Sequence, residues 1–277
     1  MSTTKAPVIH YGVTEMTPSG DNIDLHKEEI LLKGYTIVPN VLTPEQIKIA
    51  KEKIEIIYAK QVAEVGEEVI EKLGDKDITR SPLVYDDFFL YNFTVNPTVI
   101  AILKKIFGNN FILREQNAII NRAKSQNYQL RWHRDLMYQH FTYSRPFSIS
   151  ALFCLADFNE KNGGTWILPA SHKTEAFPSE EYIRANEVCA NAPVGSAIVF
   201  DAMLYHRAGQ NVSDNDRIGV NNMYVAPYMK QAISFPSQLK GKYSDDPFLS
   251  FLLGYDTDTD ADVKSWRMRR YNRSAKK

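Results

Sequence analysis

From Phe111 onward the chain is a succession of short runs rich in Ile, Val, Phe and Tyr, each cut off by turn-forming residues. The runs cover 111–121, 128–133, 147–155, 165–168, 196–200 and 218–225, and turn clusters at 159–164, 193–195 and 209–216 divide them. Segments of this length and composition read as strands. None can bury its faces alone, so they must pair into sheets that pack on something else. The part before Phe111 has a different rhythm. Residues 34–42 form a brief extended run (Tyr35, Ile37, Val38, Val41) broken by Pro39 and Asn40. A helix is predicted directly after it, with Thr43 as N-cap, Pro44 at the first helical position and Gln46 closing a capping box. Ile47, Ala50, Ile54, Ile57 and Tyr58 then recur at helical spacing, which requires a buried face, and Gly66 ends or kinks the helix. A second helix runs from an Asn96 cap and Pro97 to a stop at Gly108. Residues 74–92 show no clear period. Helices first and strands later predict a mainly β fold, with flanking α-helices packed outside a β-sandwich or jelly roll.

A chain of 277 residues is long enough for one large domain with a full core or for two small ones, and β-rich folds commonly use this much sequence as one unit. A single domain over 1–277 is therefore expected, with 1–25 as a loosely held arm and 228–277 as a C-terminal extension. The formal net charge is zero, so general attraction to nucleic acid or to an anionic membrane is not expected. The basic residues Arg267, Arg269, Arg270, Arg273, Lys276 and Lys277 read as a solvated tail. The two cysteines, Cys154 and Cys189, form no CxxC pair, which argues against a disulfide framework and a thiolate zinc site. The polar N-terminus has no apolar leader core, and no apolar run is long enough to span a bilayer, so a cytoplasmic protein is expected. The sequence does not decide its oligomeric state.

Among the six histidines, His10 and His26 have no neighbouring partner in the polar N-terminal region. His133 differs, because Trp132-His133-Arg134-Asp135 sets an imidazole and a carboxylate two positions apart. On an extended backbone such residues project from one face and can share a metal ion. Alone, an HxD triplet is a weak signal. His206, following the apolar run 196–200, offers a third ligand from another strand. Two histidines and one carboxylate on one face of an octahedral ion leave positions open, the pattern of non-haem Fe(II) oxygenases. A structural zinc site instead fills all four positions with protein ligands. Arg217 begins the next predicted strand, where a hairpin over 209–216 would return it beside His206. Its planar fork matches a carboxylate, the far end of a dicarboxylate such as 2-oxoglutarate. The competing reading is an ordinary strand-end arginine paired with Asp214 or Asp216.

With these residues in view, the sequence resembles the phytanoyl-CoA dioxygenase family, which includes ectoine hydroxylases. The resemblance runs from about Gly34 to Pro227. It takes in Gly34-Tyr35, Val38-Pro39, Leu42-Thr43-Pro44-Glu45, the HxD at His133 and Asp135, and Asn162-Gly163-Gly164. It continues through Leu168-Pro169-Ala170-Ser171-His172-Lys173 and closes on His206, Gly209, Asn211, Ser213 and Arg217. What it implies is a double-stranded β-helix (jelly-roll, cupin-like) core, with Fe(II) on His133, Asp135 and His206. It also implies 2-oxoglutarate on Arg217, dioxygen as partner, and hydroxylation of a small organic molecule with release of succinate and carbon dioxide. It further implies oxoacid contacts from Asn117 and Asn121 on the strand before the HxD and from Ser150 on the strand after. Related halogenases replace the carboxylate with a small residue, so Asp135 implies hydroxylation or another oxidation.

Two positions depart from the family pattern. Ala208 stands where a serine is common two residues past the distal histidine, and Pro169-Ala170-Ser171-His172 replaces Pro-Gly-Ser-His. His172 is expected to be structural, and His140 is a residue that could face substrate. Tyr85, Phe88, Met137, Tyr138, Gln139 and Tyr205 are the candidates for a substrate pocket, and a small polar metabolite or natural-product intermediate is the favoured class. Two readings compete: a non-oxidative jelly-roll metalloenzyme that does not use 2-oxoglutarate, and a metal-binding protein that keeps the fold without catalysis.

Overall fold

The computed structural model describes residues 20–124, 128–136 and 141–274. Residues 1–19 of the expected arm, including His10, lie outside the described residues, as do Met137, Tyr138, Gln139, His140, Lys276 and Lys277.

Helix α1 (Asn22–Lys33) starts inside the segment expected to be loose. Asp21 caps it by accepting the Asp24 N–H at 2.9 Å. Asp24 in turn pairs with Lys105 at 2.8 Å. Only Ile30 is buried, so the helix has no broad apolar stripe and is held by what it docks on. Strand β1 (Tyr35–Val38) follows, then α2 (Pro44–Val65) and α3 (Glu67–Leu73). The predicted capping box forms: Thr43 Oγ1 accepts the Gln46 N–H at 3.2 Å and Gln46 Oε1 accepts the Thr43 N–H at 2.8 Å. Ala50, Ile54 and Ile57 are the buried face of α2, and Gly66 separates it from α3. After β2 (Ile78–Arg80), the short helices α4 (Pro82–Tyr85) and α5 (Asp87–Phe89) lead into a π-helical turn at Leu90–Thr94. Helix α6 (Pro97–Phe107) begins at its Asn96 cap and ends at Gly108 as predicted.

The β region comprises β3 (Ile112–Asn121), β4 (Ser148–Cys154), β5 (Thr165–Ile167), β6 (Val188–Cys189), β7 (Ala197–Asp201), β8 (His206–Ala208) and β9 (Arg217–Val225). Helix α7 (Glu180–Asn186) lies between β5 and β6. The strands make a six-stranded sheet, β1-β7-β4-β9-β3-β2, and a three-stranded sheet, β6-β5-β8, with every pair antiparallel. Alternation along each strand divides the core in two. Ala118, Ile120, Ile149, Ala151, Phe153, Val199, Val220 and Tyr224 pack with the α1, α2 and α6 residues Ile30, Ile54 and Ile102. Leu152, Cys154, Ile198 and Phe200 point the other way and meet Phe158 and Ile167. This is the helix-backed jelly roll, the double-stranded β-helix that the resemblance implied.

Two local expectations are corrected. No strand forms over 128–133: Tyr128–Leu130 is a 3-10 turn, and His133 alone pairs, as an isolated bridge to His206. Nor do β8 and β9 form a hairpin, because the loop over 209–216 carries the chain from the small sheet to the large one. That crossing sets His206 and Arg217 on facing sheets. Part of the C-terminal extension is core: α8 (Phe235–Leu239) and α9 (Pro247–Leu252) bury Phe235, Leu239, Leu249 and Leu252 against the helical side. Helix α10 (Val263–Ser274) is mostly exposed, with Arg269 paired to Asp260 and Arg270 over the Trp266 ring. Among the described residues no helix is long and apolar enough to cross a membrane.

Candidate active site

The site forms where the two sheets face each other. His133 and His206 exchange both backbone hydrogen bonds, each 3.0 Å, so His133 acts as a one-residue edge strand beside β8. Residues directly opposed in this way put their side chains on the same face. Their rings sit 4.4 Å apart between centroids. Each ring is oriented by its own chain, since His133 Nδ1 faces the Arg131 carbonyl at 2.8 Å and His206 Nδ1 faces that of Leu204 at 2.9 Å. A nitrogen facing a carbonyl must carry the proton, which leaves Nε2 of each ring as a lone-pair donor in the neutral tautomer. Asp135 is fastened by its N–H to the Ala202 carbonyl at 3.0 Å. Its Oδ1 lies 3.3 Å from His206 Nε2. One ligand atom from each of the three residues falls within 4.8 Å of the others.

The surrounding groups tune this cluster. Ser150 Oγ donates to Asp135 Oδ2, and Asn221 Nδ2 donates to the same oxygen at 3.5 Å. Burial works to raise the Asp135 carboxyl, but the charge and hydrogen bond of His206, with His133 and Ser150, hold it well below the usual carboxylate range. Burial, then repulsion by His206, lowers His133. Burial also opposes protonation of His206, yet Asp135 raises it overall. The result is a permanently charged carboxylate beside two imidazoles.

Arg217 opens β9 with only 3% of its surface exposed. The acids expected to compete for it are already engaged: Asp214 by Lys124 at 2.6 Å and Asp216 by Arg122 at 2.8 Å. Arg217 Nε and Nη2 have no hydrogen-bond partner, and the guanidinium lies 4.4 Å over the Phe158 ring. Burial pushes its pKa down to about 10. A desolvated cation without a counter-ion is costly, and an anionic ligand removes that cost. A chamber of about 50 Å³ connects it to His133, Asp135 and His206, with Thr165, Asn221 and Ala208 also in its walls. On the other side of His133 and Asp135 lies a larger cavity of about 670 Å³.

The remaining expected contacts are distributed differently. Asn117 lines the larger cavity and donates to Glu115 at 3.2 Å. Ser150 touches Asp135 and lines neither chamber. Asn121, also in neither, braces two turns through the carbonyls of Gly163 (3.3 Å) and Gly209 (3.0 Å). Gly163 is required there, because a Cβ would lie 2.4 Å from Asn121 Nδ2 with the backbone at φ +74°. These three therefore do not form the inner chamber wall that the resemblance implied. Tyr85 bonds Glu64, Phe88 packs with Phe89 and Phe93, and Tyr205 turns away under Arg134, so none lines the larger cavity. His172 is structural as expected: 1% exposed and outside the three-residue cluster, it faces the Leu31 carbonyl at 3.4 Å, and burial pushes its pKa down to about 4.

Sequence reasoning missed Asn221 and the pair Arg114 and Glu115. Asn221 was reachable, since it stands four residues after Arg217 on the same strand face. Arg114 was not. The β3–β9 register slips between Leu113 and Glu115, and this bulge turns two consecutive residues into the larger cavity.

Comparison with known proteins places this geometry. The family model described as phytanoyl-CoA dioxygenase (PhyH) matches residues 31–219. The chain belongs to the phytanoyl-CoA dioxygenase family. As a family member it is an enzyme of the dioxygenase class. It is 26% identical over 219 residues to an uncharacterized protein of Mycobacterium tuberculosis, covering 77% of this chain and 79% of that one. It is 21% identical over 260 residues to the ectoine dioxygenase of Stutzerimonas stutzeri, covering 83% and 84%. Its fold is similar to that of HygX from Streptomyces hygroscopicus, solved with nickel, 2-oxoglutarate and hygromycin B. The TM-score is 0.57 at 14% identity, over 75% of this chain and 88% of that one. The family match spans all three clustered ligands and Arg217.

Proposed function

We propose that the protein is an Fe(II)- and 2-oxoglutarate-dependent dioxygenase that hydroxylates a small polar metabolite and releases succinate and carbon dioxide. The observation that carries this reading is the buried, unpartnered Arg217 guanidinium sharing a small chamber with two imidazoles and a carboxylate. The residues present fit both groups. Two imidazoles and one carboxylate are the donor set of the facial triad, which suits Fe(II) and leaves positions open. Two free donors on a buried guanidinium fit the distal carboxylate of a dicarboxylate. A metal-binding protein without an oxoacid leaves that guanidinium unsatisfied.

When bound, iron and the oxoacid supply the oxidising power, coupling decarboxylation of 2-oxoglutarate by dioxygen to oxygen insertion into the substrate. Everything else falls to the chain. His133, Asp135 and His206 would hold the ion, with Asp135 kept ionised by its neighbours. Arg217 orients the oxoacid by its far end. Leu152 and Phe200 supply apolar wall to the inner chamber, Phe158 lies under the Arg217 guanidinium at 4.4 Å, and Phe200 packs edge-on against His206 at 4.8 Å. The larger cavity receives the substrate. Its walls carry Arg114, Glu115, Asn117, Arg131 and Asn221 beside an apolar surface of Ile78, Ile119, Trp132 and Met223, a lining that favours a small charged or hydrogen-bonding molecule over a bare hydrocarbon.

The test is anaerobic addition of Fe(II) and then 2-oxoglutarate, read as the weak visible charge-transfer band of a chelated oxoacid. Wild type is expected to give the band and His133→Ala to lose it. Absence of the band in wild type, or its persistence in the variant, removes the proposal.

A further inference from the structure

Behind the metal-ligand face lies a second, non-ligating layer. His133 and His206 point into the site, so alternation sends Arg134 and Tyr205, their chain neighbours, to the opposite side. There the Arg134 guanidinium sits 4.0 Å over the Tyr205 ring. Arg134 is 3% exposed, and Tyr205 is likewise 3% exposed. A charge this deep needs directed partners. The turn that carries Pro169-Ala170-Ser171-His172 supplies them. Arg134 Nη2 donates to the Ser171 carbonyl at 3.1 Å and also to that of Thr174. The same turn holds the second segment, because Ser171 Oγ accepts the Tyr205 N–H at 2.9 Å. The turn is itself anchored to α1, through the Ala170 N–H on the Lys33 carbonyl at 2.7 Å and through His172 on Leu31. One turn thus grips both chain segments that bear the ligands, and the stacked pair couples them.

We propose that Arg134, with Tyr205 and the turn at residues 171–174, is a clamp that fixes the spacing of His133, Asp135 and His206. Arg134 is a positioning residue: its guanidinium is spent on the Tyr205 ring and the turn carbonyls, and it shares the wall of the larger cavity with its neighbours His133 and Asp135. Its place between His133 and Asp135 means that any rotation of this segment moves two ligands at once. The ring of Tyr205, one residue before His206, ties that movement to the third. Arginine is required over lysine because the planar group stacks on the ring while its N–H edge reaches two carbonyls, a combination that a compact ammonium does not reproduce. The inference rests on the proposed metal centre, and its test is chosen to separate the two.

Co(II) serves as an oxygen-stable probe of the full-length protein, titrated by its visible d–d bands, alongside the thermal melt of each metal-free variant. Outer partners of metal ligands typically change metal affinity by about 10–100-fold. Arg134→Ala is expected to weaken Co(II) binding at least tenfold and to alter the band shape. Tyr205→Leu is expected to do the same, with the double variant little worse than either single one. Tyr205→Phe keeps the ring and should match wild type. Arg134→Lys preserves charge and most of the volume, so it carries the test if the alanine variant does not fold; it should still bind at least several-fold more weakly. A merely structural role lowers the melting temperature and leaves the affinity of the folded protein and its spectrum unchanged, and that result for Arg134→Lys overturns the clamp. Failure of wild type to bind Co(II) at all would remove the metal centre, and the clamp with it. Binding by wild type with unaffected variants sinks only the clamp.

Discussion

Replacing Arg217 by methionine separates two consequences of the buried charge, because they have opposite signs. Without metal and oxoacid the guanidinium is 3% exposed, lacks partners on two nitrogens and has its pKa pulled to about 10. That depression corresponds to roughly 3 kcal/mol against the charged form. A cation whose folded pKa is lowered holds its proton less tightly than in the unfolded chain. The cost is therefore fully present at pH 7 and is relieved only as pH rises through 10. Methionine removes this cost but also loses the stacking over Phe158, worth about 0.5–2 kcal/mol. The ligand-free variant should be about 1–2.5 kcal/mol more stable, a melting temperature raised by roughly 2–7 °C. The same change leaves the distal carboxylate of 2-oxoglutarate without a cation, and truncating one partner of a buried charged pair costs about 2–5 kcal/mol, or roughly 30- to 5,000-fold in affinity. Calorimetric melts of the ligand-free proteins measure the first effect, and anaerobic titration of 2-oxoglutarate into Fe(II)-loaded protein measures the second. A variant that melts several degrees below wild type and binds 2-oxoglutarate unchanged refutes the reasoning on both counts.

The remaining predictions concern stability. Tyr224 is fully buried, donating to the Thr94 carbonyl at 2.7 Å and accepting from Asn222 at 3.1 Å, so Tyr224→Phe strands both groups. It should cost about 1–3 kcal/mol in denaturant unfolding and leave the Fe(II)–oxoacid band in place; an unchanged midpoint contradicts this. Asp201 is fully buried, accepts from Tyr143 and from the Met203 N–H, and is pushed by burial up to about 6. Its folded form binds a proton more tightly than its unfolded form, so its contribution is greatest below about pH 4, falls as pH rises to about 6 and is flat beyond, a change of about 3 kcal/mol. Asp201→Asn keeps the acceptor oxygen and should remove that slope, so the stability difference between variant and wild type must grow between pH 4 and 6; parallel pH curves for the two proteins would contradict it.

The centre of this site was legible because its signals are short-range or chemically rare. His133 and Asp135 stand two positions apart in the chain, and His206 and Arg217 bracket one loop. The helix caps at Thr43 and Asn96 and the stop at Gly108 are likewise decided within a few residues of backbone, and all three appear where the sequence puts them. What failed was whatever depended on distant neighbours. The run over 128–133 has strand composition but finds a partner only at His133. Helix α1 lacks an apolar stripe and exists because α6, β1 and the turn at 171–174 surround it.

Residue order alone thus determined the strand-rich class, the helix boundaries, and the four side chains, His133, Asp135, His206 and Arg217, that meet around one small chamber. Only the tertiary structure decided that Asp214 and Asp216 would be taken by Lys124 and Arg122, leaving Arg217 free for a ligand. It also decided that a bulge would turn Arg114 into the larger cavity, and that Asn121 would brace turns instead of lining the site. The physical reason is one of range. Caps and periodicity act over a single turn of backbone, whereas ion-pair choice, register and cavity walls depend on which distant segments come within a few ångströms, and packing sets that for the whole chain at once.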